Sequence, residues 1–403
     1  GKNMIQGIQD KGFYDLINGA LNLKGYSNIR EFFEAAPRNW YDAENYRKTW
    51  AVEPYANPTR DFKQYIGEIE IPVMATYLAD DAETPLISNQ GFKVQTSSIP
   101  RMGLGYLFGA KAYDDARNAE ALLQGEIFGR IFDAWRKDVY SLIKGIHSQR
   151  SFTAAQVESL GYYKTTRLNN NGGIENLQIS FSVPAANKKK AGGYAVTGYS
   201  HGTKYVWSHD SASPVGDLKD MFHFAWVNNI LSAVPANSVF RMSVAAYEVL
   251  KNHIDTKKRV LVWKTGGLME TSNYASVEVT DDDLANYLRG IGLPPIQKDE
   301  YYGFTEYIDA NKELKRKELA AFDANTVVLR PAGNVGSFQW SRVSNIFASS
   351  IAPVYYADGG TIAIQEDVFS RENAKKFSAT SLCVPVPYAV NKMLYLSINE
   401  AAD

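Results

Sequence analysis

The sequence has almost none of the residues that build covalent or metal-held frameworks. Cys383 is its one cysteine, so an intrachain disulfide and a Cys-based zinc site are both excluded. No stretch approaches the roughly 18 apolar residues of a transmembrane helix. The opening Gly1-Lys2-Asn3-Met4-Ile5-Gln6-Gly7 turns polar before the apolar centre of a signal peptide could form. An excess of one charge is lacking too. Lys plus Arg number 43 against 44 Asp plus Glu, for a net charge of −1, whereas a dedicated nucleic-acid binder carries a basic surplus. No GxxxxGK[ST] phosphate loop occurs, and no GxGxxG follows a predicted strand.

What remains is globular in character. Hydrophobic residues make up 45% and charged residues 22%, which excludes a disordered chain. The 403 residues allow two to three domains at about 150 residues each, and a chain of this size buries roughly three quarters of its extended surface.

Residues 1–66 are expected to form an arm lying along another surface. Short helical patches at 13–17 and 29–33 are broken by Gly12, Gly19, Gly25 and Pro37, and the aromatic cluster Trp40, Tyr41, Tyr46 and Trp50 precedes Pro54 and Pro58. A helical subdomain of the same chain is the competing expectation. Residues 67–99 then switch to period 2. Ile69, Ile71, Val73, Ala75 and Tyr77 alternate with Glu68, Glu70, Pro72, Met74 and Thr76; Asp80-Asp81-Ala82-Glu83-Thr84-Pro85 makes a polar turn; Phe92, Val94 and Thr96 alternate on the return. This predicts a long hairpin with Pro72 at an edge. A two-stranded ribbon is marginal in water and needs a surface to rest on. Its apolar and acidic positions Ile69, Ile71, Val73, Phe92, Val94, Asp80, Asp81 and Glu83, with Trp40 and Trp50 of the arm, are the candidate contacts to such a surface.

The strongest periodic signal spans 114–147. Ala116, Ala119, Leu123, Ile127, Ile131, Trp135, Leu142 and Ile146 fall on one helical stripe, flanked by Phe128, Phe132, Val139 and Ile143. Asp114 and Asp115 suit its N-terminus, and such a helix is about 50 Å long. Gly125, Gly129 and Gly145 weaken it, which predicts a bend or a close contact at one of them. Residues 160–213 read as β, helical patterns follow at 217–224 and 243–250, and Asp281-Asp282-Asp283 opens another helix. Residues 309–321 read as a charged helix, and strands resume at 326–329 and 394–398. The class is α+β.

Chemistry finds little footing. Gly198-Tyr199-Ser200-His201-Gly202 matches the G-x-S-x-G elbow of serine hydrolases, which requires a strand before the serine and a helix directly after it. The following Thr203-Lys204-Tyr205-Val206-Trp207 is β-branched and aromatic instead. His201, His209 and Asp210 are the one near cluster of possible metal ligands, at a spacing that fits no known ligand motif. Asp80, Asp81 and Glu83 lack a calcium-loop pattern, and Lys188-Lys189-Lys190 suits a solvated turn. The expectation is no catalytic, cofactor or metal residue.

Three collinear stretches carry a family likeness. Trp207-Ser208-His209-Asp210-Ser211-Ala212-Ser213-Pro214-Val215-Gly216-Asp217-Leu218 leads into a helix. Phe322-Asp323-Ala324-Asn325-Thr326-Val327-Val328-Leu329-Arg330-Pro331-Ala332-Gly333 joins a strand to a loop. Ala379-Thr380-Ser381-Leu382-Cys383-Val384-Pro385-Val386-Pro387-Tyr388-Ala389-Val390 is a proline-rich entry to the last strand. Together with the preceding hairpin and long helix, they resemble the major capsid protein of tailed bacteriophages, of Hong Kong 97-like fold, and most closely its lambda-type subgroup, the major capsid protein E family. The likeness covers roughly 65–403. It departs at 309–321, where the family usually has a short glycine turn, and in the length of the aromatic arm.

The resemblance implies a non-enzymatic shell subunit that self-assembles into hexamers and pentamers around a double-stranded DNA genome, so that the surface meeting the arm and ribbon is another copy of the chain. It implies no cofactor and no membrane, with portal, scaffolding and decoration proteins as partners and only non-specific proximity to the DNA. The location implied is the virion, assembled in the host bacterial cytoplasm. The implied parts are an N-terminal arm (1–66), an E-loop hairpin (67–110), a P-domain (111–213) with spine helix 114–147, an A-domain (214–345), and a return to the P-domain (346–403) ending in the C-terminal strand. An encapsulin-like compartment shell and a serine hydrolase using Ser200 are the alternatives.

Overall fold

A computed structural model describes residues 44–67, 92–109, 125–170, 176–267, 274–343, 354–369 and 374–403, with isolated positions among 21–34 and 111–118. The chain is α+β. In order, the described elements are α1 (Ile29–Glu34), β1 (Trp50–Val52), β2 (Asp61–Gly67), β3 (Phe92–Ser98), β4 (Arg101–Phe108), α2 (Gly125–Leu160), β5 (Tyr162–Lys164), β6 (Gln178–Ser180) and β7 (Lys188–Ala191). Next come α3 (Pro214–Val227), β8 (Ser238–Ser243), α4 (Val244–Asn252), α5 (Ile254–Thr265), α6 (Asp281–Gly290), β9 (Ile296–Asp299), β10 (Tyr302–Ile308) and β11 (Leu314–Ala320). The chain finishes with β12 (Thr326–Pro331), β13 (Gly336–Ser341), β14 (Val354–Ala357), β15 (Ile362–Phe369), β16 (Ala374–Pro387) and β17 (Leu394–Ala401).

Two sheets organise the body. The first runs β1-β13-β16-β15-β14, and β4 adds to β16 beside β13. The second runs β7-β17-β12-β8-β9. The C-terminal strand β17 thus joins the second sheet, between β12 and β7, and not the sheet that holds β14 to β16. Helix α2, 36 residues long and about 54 Å at 1.5 Å per residue, packs against β16 and β4 of the first sheet and β12 of the second.

Helix α2 covers the predicted stripe from Gly125 on and ends at Leu160, 13 residues beyond the predicted 147, whereas Ala116, Ala119 and Leu123 lie outside the described residues. Leu142 and Ile146 from the stripe and Val139 and Ile143 from its flank are buried, each worth about 1.5–3 kcal/mol of apolar burial. Beyond 147 the helix is buried on polar and apolar sides alike, His147, Arg150, Ser151 and Glu158 lying inside together with Phe152, Ala154, Ala155 and Val157, so hydrophobic periodicity loses the helix there. Gly161 stops it in the left-handed conformation (φ 75°), its N–H donating to Val157 O. The close contact predicted at one of three glycines falls at Gly145, where Leu104 of β4 occupies the space of a side chain.

Several expectations are corrected. Residues 309–321 are not helical: β10 and β11 form an antiparallel hairpin, Tyr302↔Ala320 to Ile308↔Leu314. Asp309 Oδ1 accepts from Asn311 and Glu313 N–H, and this turn outweighs the helical propensity of the Lys- and Glu-rich run after it. Part of the expected arm also belongs to the body. β1 pairs in parallel with β13, and Leu21, Phe32 and Phe33 are buried in a cluster with Ile143, Tyr355 and Phe377. The span 160–213, expected to be β, holds only the short strands β5, β6 and β7 among its described residues, and Lys188-Lys189-Lys190 lie in β7 and not in a turn. The helix at 281 starts at the Thr280 N-cap, with Asp283 completing the capping box.

Candidate functional site

The ribbon β2–β3 pairs Asp61↔Ser98 to Gly67↔Phe92; its return strand falls on the alternation expected at 92–96, its first described strand lies in a stretch expected to be arm, and the expected strand 69–77 and turn 80–85 lie outside the described residues. Its root is fastened to both neighbouring layers. Phe62 is buried against Phe181, ring centroids 5.7 Å apart. Gln339 of β13 acts as a substitute strand partner: its Oε1 accepts Lys63 N–H at 3.0 Å and its Nε2 donates to Lys63 O at 2.7 Å. On the return strand, Ser182 Oγ donates to Gln95 Oε1 at 2.9 Å. Toward its described end the ribbon pairs with no other described strand, and Tyr65 lies directly opposite Val94, both of them exposed.

Of the candidate inter-copy contacts, Val94 is 48% exposed and Phe92 begins β3 opposite Gly67. Ile69, Ile71, Val73, Asp80, Asp81, Glu83 and Trp40 lie outside the described residues. Trp50 is corrected. It is 2% exposed, packed edge-on to Phe338 in the chain's own core, so its indole has no area left for another copy.

The aromatic and acidic residues of the 207–218 segment serve as a clasp. Asp217 Oδ2 accepts Trp207 Nε1–H at 2.8 Å and Asp217 Oδ1 accepts Gly192 N–H at 2.9 Å. One turn on, Asp220 accepts the N–H groups of His201 and Gly202. Pro214 occupies the first turn of α3, where a missing N–H costs nothing. The loop 192–207 is thereby tied to α3. Burial pushes the Asp217 carboxyl up to about 7 against the pull of its two hydrogen bonds.

This clasp disposes of the elbow geometry at Ser200. The serine is exposed in irregular chain after the Val196–Tyr199 bridge, and the next helix begins only at Pro214. His209 Nδ1 accepts Ser211 N–H, and His253 Nε2 bonds to His209 O, so the nearby imidazoles are engaged with backbone. His201, His209 and Asp210 do not converge as ligands.

Two buried ionic networks that sequence reasoning missed hold α2 to the sheets. In the first, Glu158 Oε1 accepts from Arg241 Nε and Arg330 Nε, both at 2.8 Å, and Arg241 also reaches Asp299 at 3.0 Å. Burial pushes Glu158 up, and the two guanidiniums more than reverse this, holding it at about 2. In the second, Asp358 pairs with Arg47 at 2.8 Å and Arg150 at 3.0 Å, while His147 contacts Tyr46 OH at 2.9 Å and lies 3.5 Å from Glu44. Glu44, His147 and Asp358 offer ligand atoms within 4.8 Å of one another. Two guanidiniums already neutralise Asp358, so the set works as an ion-pair network and not as a cation site. The spacing of single charged residues far apart in sequence carries no signal for either network.

The outcome is a body rich in internal ties and two projections poor in them, the ribbon β2–β3 and the hairpin β10–β11. A cavity of about 1260 Å³ opens between β4, α2, the β5–β6 region and the hairpin. No described helix is long and apolar enough to cross a membrane.

No family model matches the sequence, and no curated protein matches it. Among solved structures, the chain is similar to a phage-related protein from Bordetella bronchiseptica RB50, at 13% identity and TM-score 0.41 over 96% of each chain. It is similar to the mature capsid protein of bacteriophage PhiM1, at 9% identity and TM-score 0.37, over 87% of this chain and 86% of that one. It is also similar to an encapsulin from Synechococcus elongatus PCC 7942, at 9% identity and TM-score 0.36 over 96% of each chain.

Proposed function

We propose that the chain is a structural shell subunit of Hong Kong 97-like architecture, many copies of which close into an icosahedral container for the double-stranded DNA of a tailed phage. The observation that carries this reading is the ribbon β2–β3. Its root is fixed to the body through Gln339 and Phe62, while its outer part pairs with no other described strand. A ribbon so placed gains stability when another copy covers it, and closed point-group symmetry supplies that cover to every copy at once. The collinear segments at 207–218, 322–333 and 379–390 support the same reading.

In it, α2 is the spine, the ribbon reaches a neighbouring subunit, and the helices α3 to α6 with the second sheet face the capsomer centre. The chain acts without catalysis, meets portal, scaffolding and decoration proteins, and resides in the virion after assembly in the host cytoplasm. An encapsulin-like compartment shares this architecture and differs in its contents.

Electron microscopy of the particles formed by the intact chain, with nucleic-acid and protein analysis of their interior, tests the proposal. Icosahedral particles holding double-stranded DNA are expected. A monodisperse monomer whose residues 67–110 resist protease overturns it, and a protein cargo without DNA replaces it by the compartment reading.

A further inference from the structure

The clasp on α3 sets two acids side by side in a dry place. Asp217 and Asp220 lie one turn apart on the helix and are 2% and 1% exposed. Both crowd one point of the loop: a side chain at Gly202 would collide with Asp217 Oδ1 and stand 3.0 Å from Asp220 Oδ2. The donors that face them are N–H groups, Trp207 Nε1 and Gly192 for Asp217, His201 and Gly202 for Asp220. Residues 191–203 hold no Lys or Arg that could neutralise the pair. Lys219 of α3 lies within electrostatic reach of Asp220, and no base is among the groups that shift Asp217.

The loop leans on this pair. Its ends have other holds: the buried Tyr194 brings its hydroxyl to 2.8 Å from Asn187 O and 2.6 Å from Tyr395 O, and Trp207 N–H donates to Ile398 O. Between those anchors, residues 195–206 join no strand of the body, and the Val196–Tyr199 bridge lies within the loop itself. The remaining ties are the Tyr199 ring stacked on His223 at 3.8 Å, Thr203 Oγ1 donating to Ser211 O, and Lys204 Nζ donating to Asp403 O.

Two carboxylates this close and this dry repel when both are ionised, and one proton on the pair relieves the repulsion. Burial, and after it the charge of Asp220, push the Asp217 carboxyl from 3.8 up to about 7 against the pull of its two hydrogen bonds. The closed loop therefore keeps a proton that an opened loop, with Asp217 in water, has already lost. Closure is favoured at low pH and weakens as pH rises through that window. The other titratable groups around the pair are Tyr199, His201 and Lys204 of the loop, Lys219 and His223 of α3, Lys189 of β7 beside Phe224, and the Asp255–Arg259 pair of α5 that reaches Ser213.

We propose that the Asp217–Asp220 pair is a proton-operated latch: protonated, it holds residues 195–206 shut on α3, and ionised, it lets them open while the sheets and α2 stay folded. The latch belongs to the single subunit and stands whether or not copies assemble into a shell.

Hydrogen exchange of the intact chain at pH 5 and pH 8, each rate divided by the intrinsic rate at that pH, tests it. In wild type the protection of 195–206 should fall about tenfold or more between the two values, and at pH 8 the loop should exchange far ahead of β12. Asp217→Asn, which cannot titrate, should change by less than about twofold. Imidazoles as a class titrate in the same range, so His201→Gln with His223→Gln is the control and should keep the wild-type fall. A wild type protected equally at both values overturns the latch, as does a loop that opens only together with β12. A fall that survives in Asp217→Asn and disappears in the double histidine variant overturns it too, and assigns the effect to the imidazoles. If Asp217→Asn leaves the loop unprotected at both values, Asp220→Asn decides: a clearly smaller fall than in wild type is expected, and an undiminished one overturns the proposal.

Discussion

The five-stranded sheet and the two-stranded ribbons β2–β3 and β10–β11 are made of strands of similar length, yet they are covered in different ways. In the sheet, β8 and β12 are covered on both sides. Phe240, Met242, Val327 and Leu329 are buried on one face, and Arg241 and Arg330 reach through the other to Glu158 on α2. In β2–β3 and β10–β11 the fixed points are at the root, and the outer faces show Tyr65, Val94, Phe304, Ile308 and Leu314 to solvent. The body is packed within one chain, whereas under the proposed function the projections are covered by another copy. Substitutions in the two regions should therefore differ in what they damage: the subunit's own stability in the first, association in the second.

The largest effect is expected at Glu158. Glu158→Ala leaves Arg241 and Arg330 buried without their shared carboxylate, which should cost about 3–5 kcal/mol, read as a lower urea midpoint of the intact chain. Glu158 also sets an acid limit. Its folded value near 2 lies below its ordinary 4.5, so the stability it contributes is present above about pH 4.5 and is lost as pH falls toward 2. Unchanged stability in Glu158→Ala would erase the contrast between the regions.

Next in size is the Asp217 clasp. Asp217→Ala deprives Trp207 Nε1–H and Gly192 N–H of their acceptor and should cost about 1–3 kcal/mol. The pH dependence has the opposite sign to that of Glu158. Because Asp217 is raised from 3.8 to about 7, the folded chain keeps a proton that the unfolded chain has lost between those values, and stability falls as pH rises through that window. Glu366, buried and pushed up to about 7, adds to the same slope. Denaturation midpoints of Asp217→Asn measured from pH 4 to 7 should therefore show a shallower decline than wild type, not a flat line.

How much of this was legible in the sequence depends on whether a residue acts through its neighbours in the chain or through distant ones. From Val139 to Ile146 α2 was legible because burial there is apolar and periodic. From His147 to Glu158 polar and apolar residues are buried together, and the polar ones find their partners Tyr46, Arg241, Arg330 and Asp358 in four other places along the sequence. The ribbon's return strand at 92–96 was legible from its alternation, β2 at Asp61–Gly67 was not, and its clip, Gln339, is a single amide with no local pattern. The 207–218 segment was visible as a motif, while the hydrogen bonds that explain it join Asp217 to Trp207 and to Gly192, 25 residues earlier. At 302–320 the alternation of Tyr302, Phe304, Glu306 and Ile308 was present, and the Lys-Arg-Lys-Glu run beyond the turn disguised it as a helix. Trp50 was misjudged because an aromatic in a breaker-rich stretch reads the same whether it packs inward or outward.

Gln339 gives a smaller and more local effect. Gln339→Ala removes both hydrogen bonds to Lys63 and should loosen the ribbon root by about 1 kcal/mol, seen as roughly fivefold faster hydrogen exchange at the amides of β2 with the global urea midpoint little changed. Exchange that accelerates equally in β12 would mean that the ribbon and the body open together, and the two regions would then form one cooperative unit.

The smallest effect on the subunit itself is expected at the ribbon's outer face, and it is the sharpest test of the contrast. Tyr65 and Val94 face each other across β2–β3 and are both exposed, so Val94→Ser removes little burial within one chain and should move the unfolding midpoint of the dissociated subunit by no more than about 0.5 kcal/mol. If another copy covers that face, the same substitution weakens association by the apolar area it uncovers, on the order of 1 kcal/mol per contact. A closed shell repeats each contact in every subunit, so this small loss accumulates across the assembly and should appear as particles that dissociate at lower denaturant. A variant that destabilises the lone subunit as much as the assembly would place Val94 in an internal contact and remove the ribbon from the incomplete parts of the molecule.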